Sequence, residues 1–220
     1  PERIVWSGLQ SYYDVIQLVD ECKAGHHPVI ASSSHFDFFA YSIGCLLAQV
    51  LMLTNAKGYF TGSKMAMFCG GSVFNKLTPI NKFILDSAAS KAIYTFLVDK
   101  LENHLIENER LRYYLTQLDE GQNFMAMINY DERREYREGK FKALREQMFA
   151  VTLHKDSVIP PHEVQNTMLG INKDTGCRVI YTDYPYEYKH EEPFPPKEAL
   201  RNETDAAFRY TFGEFSAFLR

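Results

Sequence analysis

The chain has 220 residues, of which 45% are hydrophobic and 24% charged, a composition typical of a folded globular unit with a sizeable core. Its formal net charge of −4 shows no basic excess of the kind expected in proteins that bind nucleic acids or anionic membranes. The four cysteines are widely spaced, which argues against a disulfide framework or a zinc site and favours a reducing, cytoplasmic compartment. The longest apolar run, residues 43–53, is too short for a membrane span, while the start at Pro1 leaves a preceding targeting segment open.

The first third of the chain alternates helical and strand patterns. Apolar residues at helical spacing predict a helix over residues 8–24, closed by Gly25. The aromatic run at 36–41 predicts a strand covered on both faces, and the apolar run at 43–53 predicts a helix buried against the sheet. A second strand is predicted at 64–69, before two glycines.

Residues 72–147 have a more charged, tyrosine-rich pattern that predicts a helical insertion. One long amphipathic helix is predicted at 87–107, and two further helical pieces near 109–118 and 131–146. We expect this insertion to form a lid over the site. Some of its aromatic side chains would then line an apolar pocket, chosen from Phe74, Phe83, Tyr94, Phe96, Tyr113, Tyr114, Phe124 and Tyr130.

The last third returns to the alternating pattern. Strands are predicted at 148–153 and 178–182, with a helix at 161–169 between them that begins with proline. A closing helix is predicted at 203–219, with Asn202 as its N-cap.

Alternating strands and helices predict right-handed crossovers and a parallel sheet with helices on both faces. We therefore predict an α/β fold in which residues 1–71 and 148–220 form the core and residues 72–147 the insertion. Reactive side chains in such folds gather at the carboxyl ends of the strands, so the residues that follow each strand are the candidates for a site.

Ser42 follows the first predicted strand in the sequence Ala40-Tyr41-Ser42-Ile43-Gly44. This is the G-x-S-x-G elbow pattern with alanine in the first position, where a sharp turn from strand to helix needs small residues on both sides of the serine. Such a turn exposes the serine Oγ and places the N–H of Ile43 at a helix N-terminus, where it can stabilise an oxyanion. Tyr41 would then line the substrate site. Alone, the pattern is equally compatible with an ordinary turn that packs a helix on a strand.

Two further candidates follow later strands. Asp156 comes directly after the third strand, where a carboxylate can orient an imidazole, and His190 lies between the last strand and the last helix. An imidazole there can take the proton of a serine hydroxyl and pass it to a leaving group. Taken singly, Asp156 is also compatible with a turn or helix-cap residue, and His190 with a surface residue beside two glutamates.

The chain order of serine, acid and histidine, each after a separate strand, resembles that of the α/β-hydrolase superfamily. The similarity, which extends to bacterial proteins of this fold without a well-defined substrate, is carried by residues 38–44, 155–161 and 188–194. It implies Ser42 as nucleophile, His190 as general base and Asp156 as acid. The sequence departs from the pattern in Ala40 and in the long approach from the last strand to the histidine.

Other residues are weaker candidates for the same chemistry. Ser72 follows the second strand, but the two glycines before it favour a turn, and His154 could line the pocket near Asp156. Two carboxylates are alternative acids, Asp86 and Asp183. Three histidines lack the carboxylate or cysteine spacing of a metal site, His26, His27 and His35. We therefore expect neither a metal nor another cofactor.

The resemblance also implies more polypeptide. Sheets of α/β-hydrolases have strands before the nucleophile strand, and without them residues 36–41 would form an exposed apolar edge that favours aggregation. We expect additional N-terminal polypeptide to pair with that edge and to supply a second N–H of the oxyanion hole.

These patterns predict a serine hydrolase of the carboxylesterase or lipase kind that acts on a small ester-like molecule. Ester, thioester and amide cleavage use the same groups, so the sequence does not specify the substrate. Two alternatives remain, a catalytically silent binding protein of the α/β-hydrolase fold and an acyltransferase that uses the same serine.

Overall fold

The computed structural model describes residues 2–80 and 85–220. The described residues form a four-stranded sheet with the strands β1 (Phe38–Tyr41), β2 (Met65–Phe68), β3 (Met148–Leu153) and β4 (Arg178–Thr182). The strands lie in the order β1-β2-β3-β4, and each neighbouring pair is parallel. An all-parallel sheet flanked by helices confirms the predicted α/β class.

Helices precede, connect and cover the strands. Two lie before β2, namely α1 (Glu2–Lys23) and α2 (Gly44–Thr54). Between β2 and β3 are α3 (Ser87–Thr95), a π-helical turn (Phe96–Lys100), α4 (Leu101–Glu107), α5 (Glu109–Gln117), α6 (Asp119–Ile128) and α7 (Arg134–Ala143). Two more follow β3, namely α8 (Pro161–Leu169) and α9 (Arg201–Leu219). None of the helices in the described part of the chain is long and apolar enough to cross a bilayer.

The two faces of the sheet pack against different helices. Because successive residues of a strand point to opposite faces, Met65, Met67 and Met148 join a core that includes α1, α2, α6 and α8. On the other face, Phe68 and Phe149 belong to a second, aromatic core with α9. Every residue of β2 and β3 is buried, so the middle of the sheet is covered on both sides.

β1 lies at an edge of the sheet and pairs, among the described residues, with β2 alone. β1 is thus an edge strand of the four described strands, as the sequence pattern implied, while the pairing of further N-terminal polypeptide with it stays a prediction. Phe39 of β1 is 51% exposed, although its ring contacts Phe212 and Phe215 of α9.

The insertion packs onto the same core as α1 and α2. Its helix α6 contacts both of them and is buried along most of its length, yet the sequence patterns did not predict it. Because its first turn is charged and contains Gly121, the sequence pattern at the start of α6 is that of a polar loop. Gly121 is needed for packing, because a Cβ there would lie 1.8 Å from the carbonyl oxygen of Tyr114 on α5.

Two helix starts differ from the sequence prediction. α1 begins at Glu2 instead of residue 8, because Val5 continues the buried stripe that includes Leu9. α9 begins at Arg201, so Asn202 lies within its first turn and not at the N-cap.

The aromatic side chains of the insertion are divided between the core and the surface. Phe96 and Phe124 are buried, whereas Tyr94 and Tyr113 are mostly exposed. Phe83 lies outside the described residues.

Candidate active site

The three predicted reactive side chains meet at the carboxyl edge of the sheet. The Oγ atom of Ser42 lies 2.6 Å from Nε2 of His190, and Nδ1 of the same imidazole lies 2.8 Å from Oδ2 of Asp156. The side chains of His190 and Asp156 are 2% and 1% exposed, whereas Ser42 is half-buried. Because an ionised carboxylate only accepts hydrogen bonds, this network assigns the ring proton to Nδ1 and leaves Nε2 to accept from the serine hydroxyl.

Ser42 occupies a strained turn between β1 and α2, which we call the elbow (residues 41–45). Its φ angle is 53°, in the left-handed region that residues with a side chain rarely adopt. The N–H of Ser42 donates to the carbonyl of Phe68 on β2, and the carbonyl of Ser42 accepts from the N–H of Cys45. The backbone of the elbow therefore holds the hydroxyl at the end of the strand, against His190.

The glycine that the elbow requires is Gly70, which follows β2. A Cβ on Gly70 would lie 2.3 Å from Sγ of Cys45 and 2.8 Å from the carbonyl oxygen of Ser42. A Cβ on Gly44 would contact nothing within 4 Å. The expectation that residue 44 must be small for the packing of the turn is therefore wrong, since the close approach comes from the neighbouring strand.

Ile43 immediately precedes α2 and has φ −61° and ψ −23°. Within the described ranges, no hydrogen-bond acceptor lies opposite its backbone N–H. This N–H is at the positive end of the dipole of α2, next to the Ser42 hydroxyl in the chain. It is available to donate to an oxygen atom held beside Ser42.

Asp156 is fixed through both of its carboxylate oxygens. Oδ1 accepts from the N–H groups of Val158 and Ile159 at 3.0 and 2.9 Å, which leaves Oδ2 for His190. The buried thiol of Cys69, after β2, faces the same carboxylate. Burial, and then the charge of Asp156, raise the pKa of this thiol well above its ordinary value, so the thiol stays neutral and adds no second negative charge.

His190 is carried by a bent segment of alternating burial, residues 184–190, which we call the histidine arm. The side chains of Tyr184, Tyr186, Tyr188 and His190 are buried, and the intervening ones are exposed. The hydroxyls of Tyr184 and Thr211 of α9 are hydrogen-bonded at 2.6 Å, and the three tyrosine rings contact one another. Contacts with the aromatic core beneath α9 therefore fix the position of the histidine arm.

Tyr188 connects the histidine arm to the loop that carries Asp156. Its hydroxyl donates to Oδ1 of Asp183 at 2.7 Å and accepts from the N–H of Lys155 at 3.0 Å. Burial raises the pKa of Tyr188, so the phenol stays protonated and can fill both roles.

Tyr41, the last residue of β1, contacts His190 in two ways. Its hydroxyl donates to the backbone carbonyl of His190, and its ring is stacked on the imidazole with the ring centres 5.6 Å apart and the planes inclined by 16°. Burial raises the pKa of Tyr41. These contacts hold the imidazole in place, while the predicted substrate contact of Tyr41 stays a prediction.

The competing candidates have other partners. The hydroxyl of Ser72 donates to the carbonyl of Val73, and Asp86 caps α3 by accepting from the N–H of Ala89. Asp183 accepts from its own neighbour Tyr184 as well as from Tyr188. His154 is exposed and hydrogen-bonds to the hydroxyl of Tyr181, so none of these four side chains takes part in the network around Ser42.

The three N-terminal histidines lie apart from this network. His27 accepts from the N–H groups of Val29 and Ile30, and His35 pairs with Asp37. Across residues 2–80 and 85–220, no group of three or more His, Cys, Asp or Glu side chains has the arrangement of a metal site.

Sequence reasoning missed the supporting residues more than the reactive ones. The Tyr-x-Tyr-x-Tyr-x-His repeat of the histidine arm places a ring at every second position, a period that indicates a half-buried segment, so the sequence carried a signal for these anchoring tyrosines. Cys69 and Gly70 give no such signal, because their roles arise from contacts across neighbouring strands.

No curated protein matches this chain. A family model described as a family of unknown function, DUF6051, matches residues 1–220. The chain therefore belongs to the DUF6051 family.

Proposed function

We propose that the chain is a serine hydrolase of α/β-hydrolase type that cleaves esters through an acyl-enzyme on Ser42. The observation that carries this proposal is the hydrogen-bonded series from Ser42 Oγ to His190 to Asp156, with distances of 2.6 and 2.8 Å. The strained elbow supports it, since a residue held at φ 53° at a strand end is a common feature of reactive sites.

The proton donors and acceptors of the network match those that acyl transfer requires. As Ser42 Oγ attacks a substrate carbonyl, His190 Nε2 takes its proton, and Asp156 stabilises the resulting imidazolium through Nδ1–H. The new bond joins Oγ to the carbonyl carbon, and the bond to the leaving oxygen breaks as Nε2 returns the proton to that oxygen. In the second half, Nε2 takes a proton from water as the water oxygen bonds to the carbonyl carbon; the bond to Ser42 Oγ then breaks, Oγ regains the proton, and the carboxylic acid is released.

The backbone N–H of Ile43 is the donor that we assign to the oxyanion. It is adjacent to the nucleophile, has no acceptor among the described residues and lies at the N-terminus of α2. Such a donor aims at the charge that develops on the carbonyl oxygen.

The topology supports the same assignment. The serine, acid and histidine follow β1, β3 and β4 of a parallel sheet, and the helical insertion lies between β2 and β3. Phe74 and Phe124 of the insertion share a cavity wall with Ile43 and Gly44, which supports the proposal that the insertion covers the site as a lid.

A fluorophosphonate probe tests the proposed function directly, because it reacts with an activated serine and not with an ordinary one. We expect the wild-type chain to be labelled and to hydrolyse p-nitrophenyl esters, and Ser42→Ala to lose both while it keeps its circular dichroism spectrum and melting temperature. Ser72→Ala is the matched control and should be labelled like the wild type, because Ser72 donates only to the carbonyl of Val73. Absence of labelling in the folded wild type would favour a silent binding protein. Labelling with transfer to an added alcohol in place of hydrolysis would favour an acyltransferase.

A further inference from the structure

A cavity of about 330 Å³ lies between α1, α2 and the insertion. Its lining includes Ile43 and Gly44, the two residues directly after Ser42, and Phe74 and Phe124 of the insertion. The volume is within the usual range of small-molecule sites.

The walls of this cavity are hydrocarbon for most of their area. The aliphatic part comes from Ile4 of α1 and from Leu46, Leu47 and Val50 of α2. Ser7 and Ser11 are the hydroxyl-bearing residues of the lining, and none of its described residues carries a charge. A cavity of this kind favours an alkyl or aryl group over a phosphate, a sugar or an ammonium group.

The glycines of the cavity set its shape. A Cβ on Gly8 would lie 2.2 Å from the ring of Phe124, so a glycine in α1 is what lets that ring come close enough to form a wall. A Cβ on Gly44 would meet nothing within 4 Å, so the cavity has open space at the lining residue nearest to Ser42 in helix α2.

The position of the cavity distinguishes the two halves of an ester. The leaving oxygen must be near Nε2 of His190, which returns the proton to it. The cavity is lined by residues that follow Ser42 on α2 and by no residue of the histidine arm or of the Asp156 loop. This lining fits the acyl half of an ester better than the leaving half.

We propose that this cavity is the acyl site of the enzyme and that the substrates are esters of apolar carboxylic acids with a medium-length chain. This inference rests on the hydrolase function proposed above. In the acyl-enzyme, the carbonyl carbon is bonded to Ser42 Oγ, the carbonyl oxygen faces the N–H of Ile43, and the chain extends past Gly44 between Leu47 and Phe124.

A series of p-nitrophenyl esters from acetate to decanoate tests the acyl site. We expect kcat/KM to rise about two- to fourfold with each methylene that enters the cavity, up to a chain of about eight carbons, and then to level off. Gly44→Ala, which places a methyl group in the open end, should lower the octanoate-to-acetate ratio of kcat/KM at least fivefold. Leu47→Phe, which narrows the cavity further along, should move the preferred chain to a shorter length.

Gly213→Ala is the matched control, because Gly213 also lies in a helix with nothing within 4 Å of an added Cβ and is far along the chain in α9. It should leave the chain-length profile unchanged. A flat profile in the wild type, or an equal loss on acetate and octanoate in Gly44→Ala, would overturn the acyl site while the hydrolase proposal stands. Failure of the wild type to cleave any ester or to react with the fluorophosphonate would instead overturn the function on which the acyl site rests.

Discussion

Ser42 and the two side chains that complete its hydrogen-bonded network, His190 and Asp156, are held in place by different physical means. Ser42 is positioned by backbone, through a strained φ angle and the close packing of Gly70 against the elbow. His190 and Asp156 lie on loops and are positioned by side-chain hydrogen bonds and aromatic packing. Substitutions near the elbow should therefore lower the free energy of unfolding first, whereas substitutions of His190 or Asp156 themselves should lower the proposed ester turnover first.

The largest effect is expected from Asp156→Asn, a change that tests the side-chain half of this comparison. The amide oxygen must stay on the N–H groups of Val158 and Ile159, so the NH₂ group faces Nδ1 of His190. The imidazole must then carry its proton on Nε2, where it cannot accept from Ser42. We expect ester turnover to fall about 10³- to 10⁴-fold with a much smaller change in unfolding free energy.

Asp183→Asn is the control for that variant. An amide oxygen at position 183 can still accept from Tyr184 and Tyr188, and the side chain does not contact His190. Steady-state kinetics and urea unfolding of both variants give the comparison. Equal turnover in Asp156→Asn and the wild type would contradict the assigned role of the acid.

The next effect in size is expected from Gly70→Ala, which tests whether backbone packing positions Ser42. The added Cβ would lie within 3 Å of the carbonyl oxygen of Ser42 and of the side chain of Cys45, and the backbone atom has no room to move without opening the elbow. We expect the unfolding free energy to fall by about 3 kcal/mol. Gly213→Ala should instead raise it by up to about 1 kcal/mol, because alanine is the better helix former and has open space there. If Gly70→Ala and Gly213→Ala shifted the denaturant midpoint equally, Gly70 would not be the residue that limits packing at the elbow.

The smallest effect is expected from Tyr188→Phe, which removes one hydroxyl and keeps the ring. The N–H of Lys155 and the carboxylate of Asp183 each lose a partner, so we expect a loss of about 1–2 kcal/mol in unfolding free energy. Turnover should fall a few-fold, because Lys155 directly precedes Asp156. Tyr210→Phe on the exposed side of α9 should change neither quantity, and a similar loss there would indicate a general effect of removing tyrosine hydroxyls.

The sequence predicted the order of elements well where the signal was local. The buried strand Met148–Leu153, the partly exposed strand Arg178–Thr182 and the helix Pro161–Leu169 have the predicted boundaries, because turn residues in the sequence mark where each element ends. α6 was not predicted, because glycine disfavours a helix and the reason for Gly121 is a contact with the backbone of α5. That contact cannot be inferred from the local sequence.

The candidate site also contains residues that the local sequence could predict and contacts that it could not. Ser42, Asp156 and His190 could be named because each follows a strand, and parallel strands bring their carboxyl ends to one edge. The need for Gly70, the stacking of Tyr41 on His190 and the contact of Cys69 with Asp156 join residues that are distant in the chain. No single segment contains the information for such contacts.

Only every second side chain of the histidine arm is buried. Pro185, Glu187 and Lys189 form an exposed row, and Glu187 pairs at 3.1 Å with Nζ of Lys155, the residue directly before Asp156. One short segment therefore presents a solvent-facing row at the rim of the candidate site and, on its other side, the tyrosine rings that fix the position of His190.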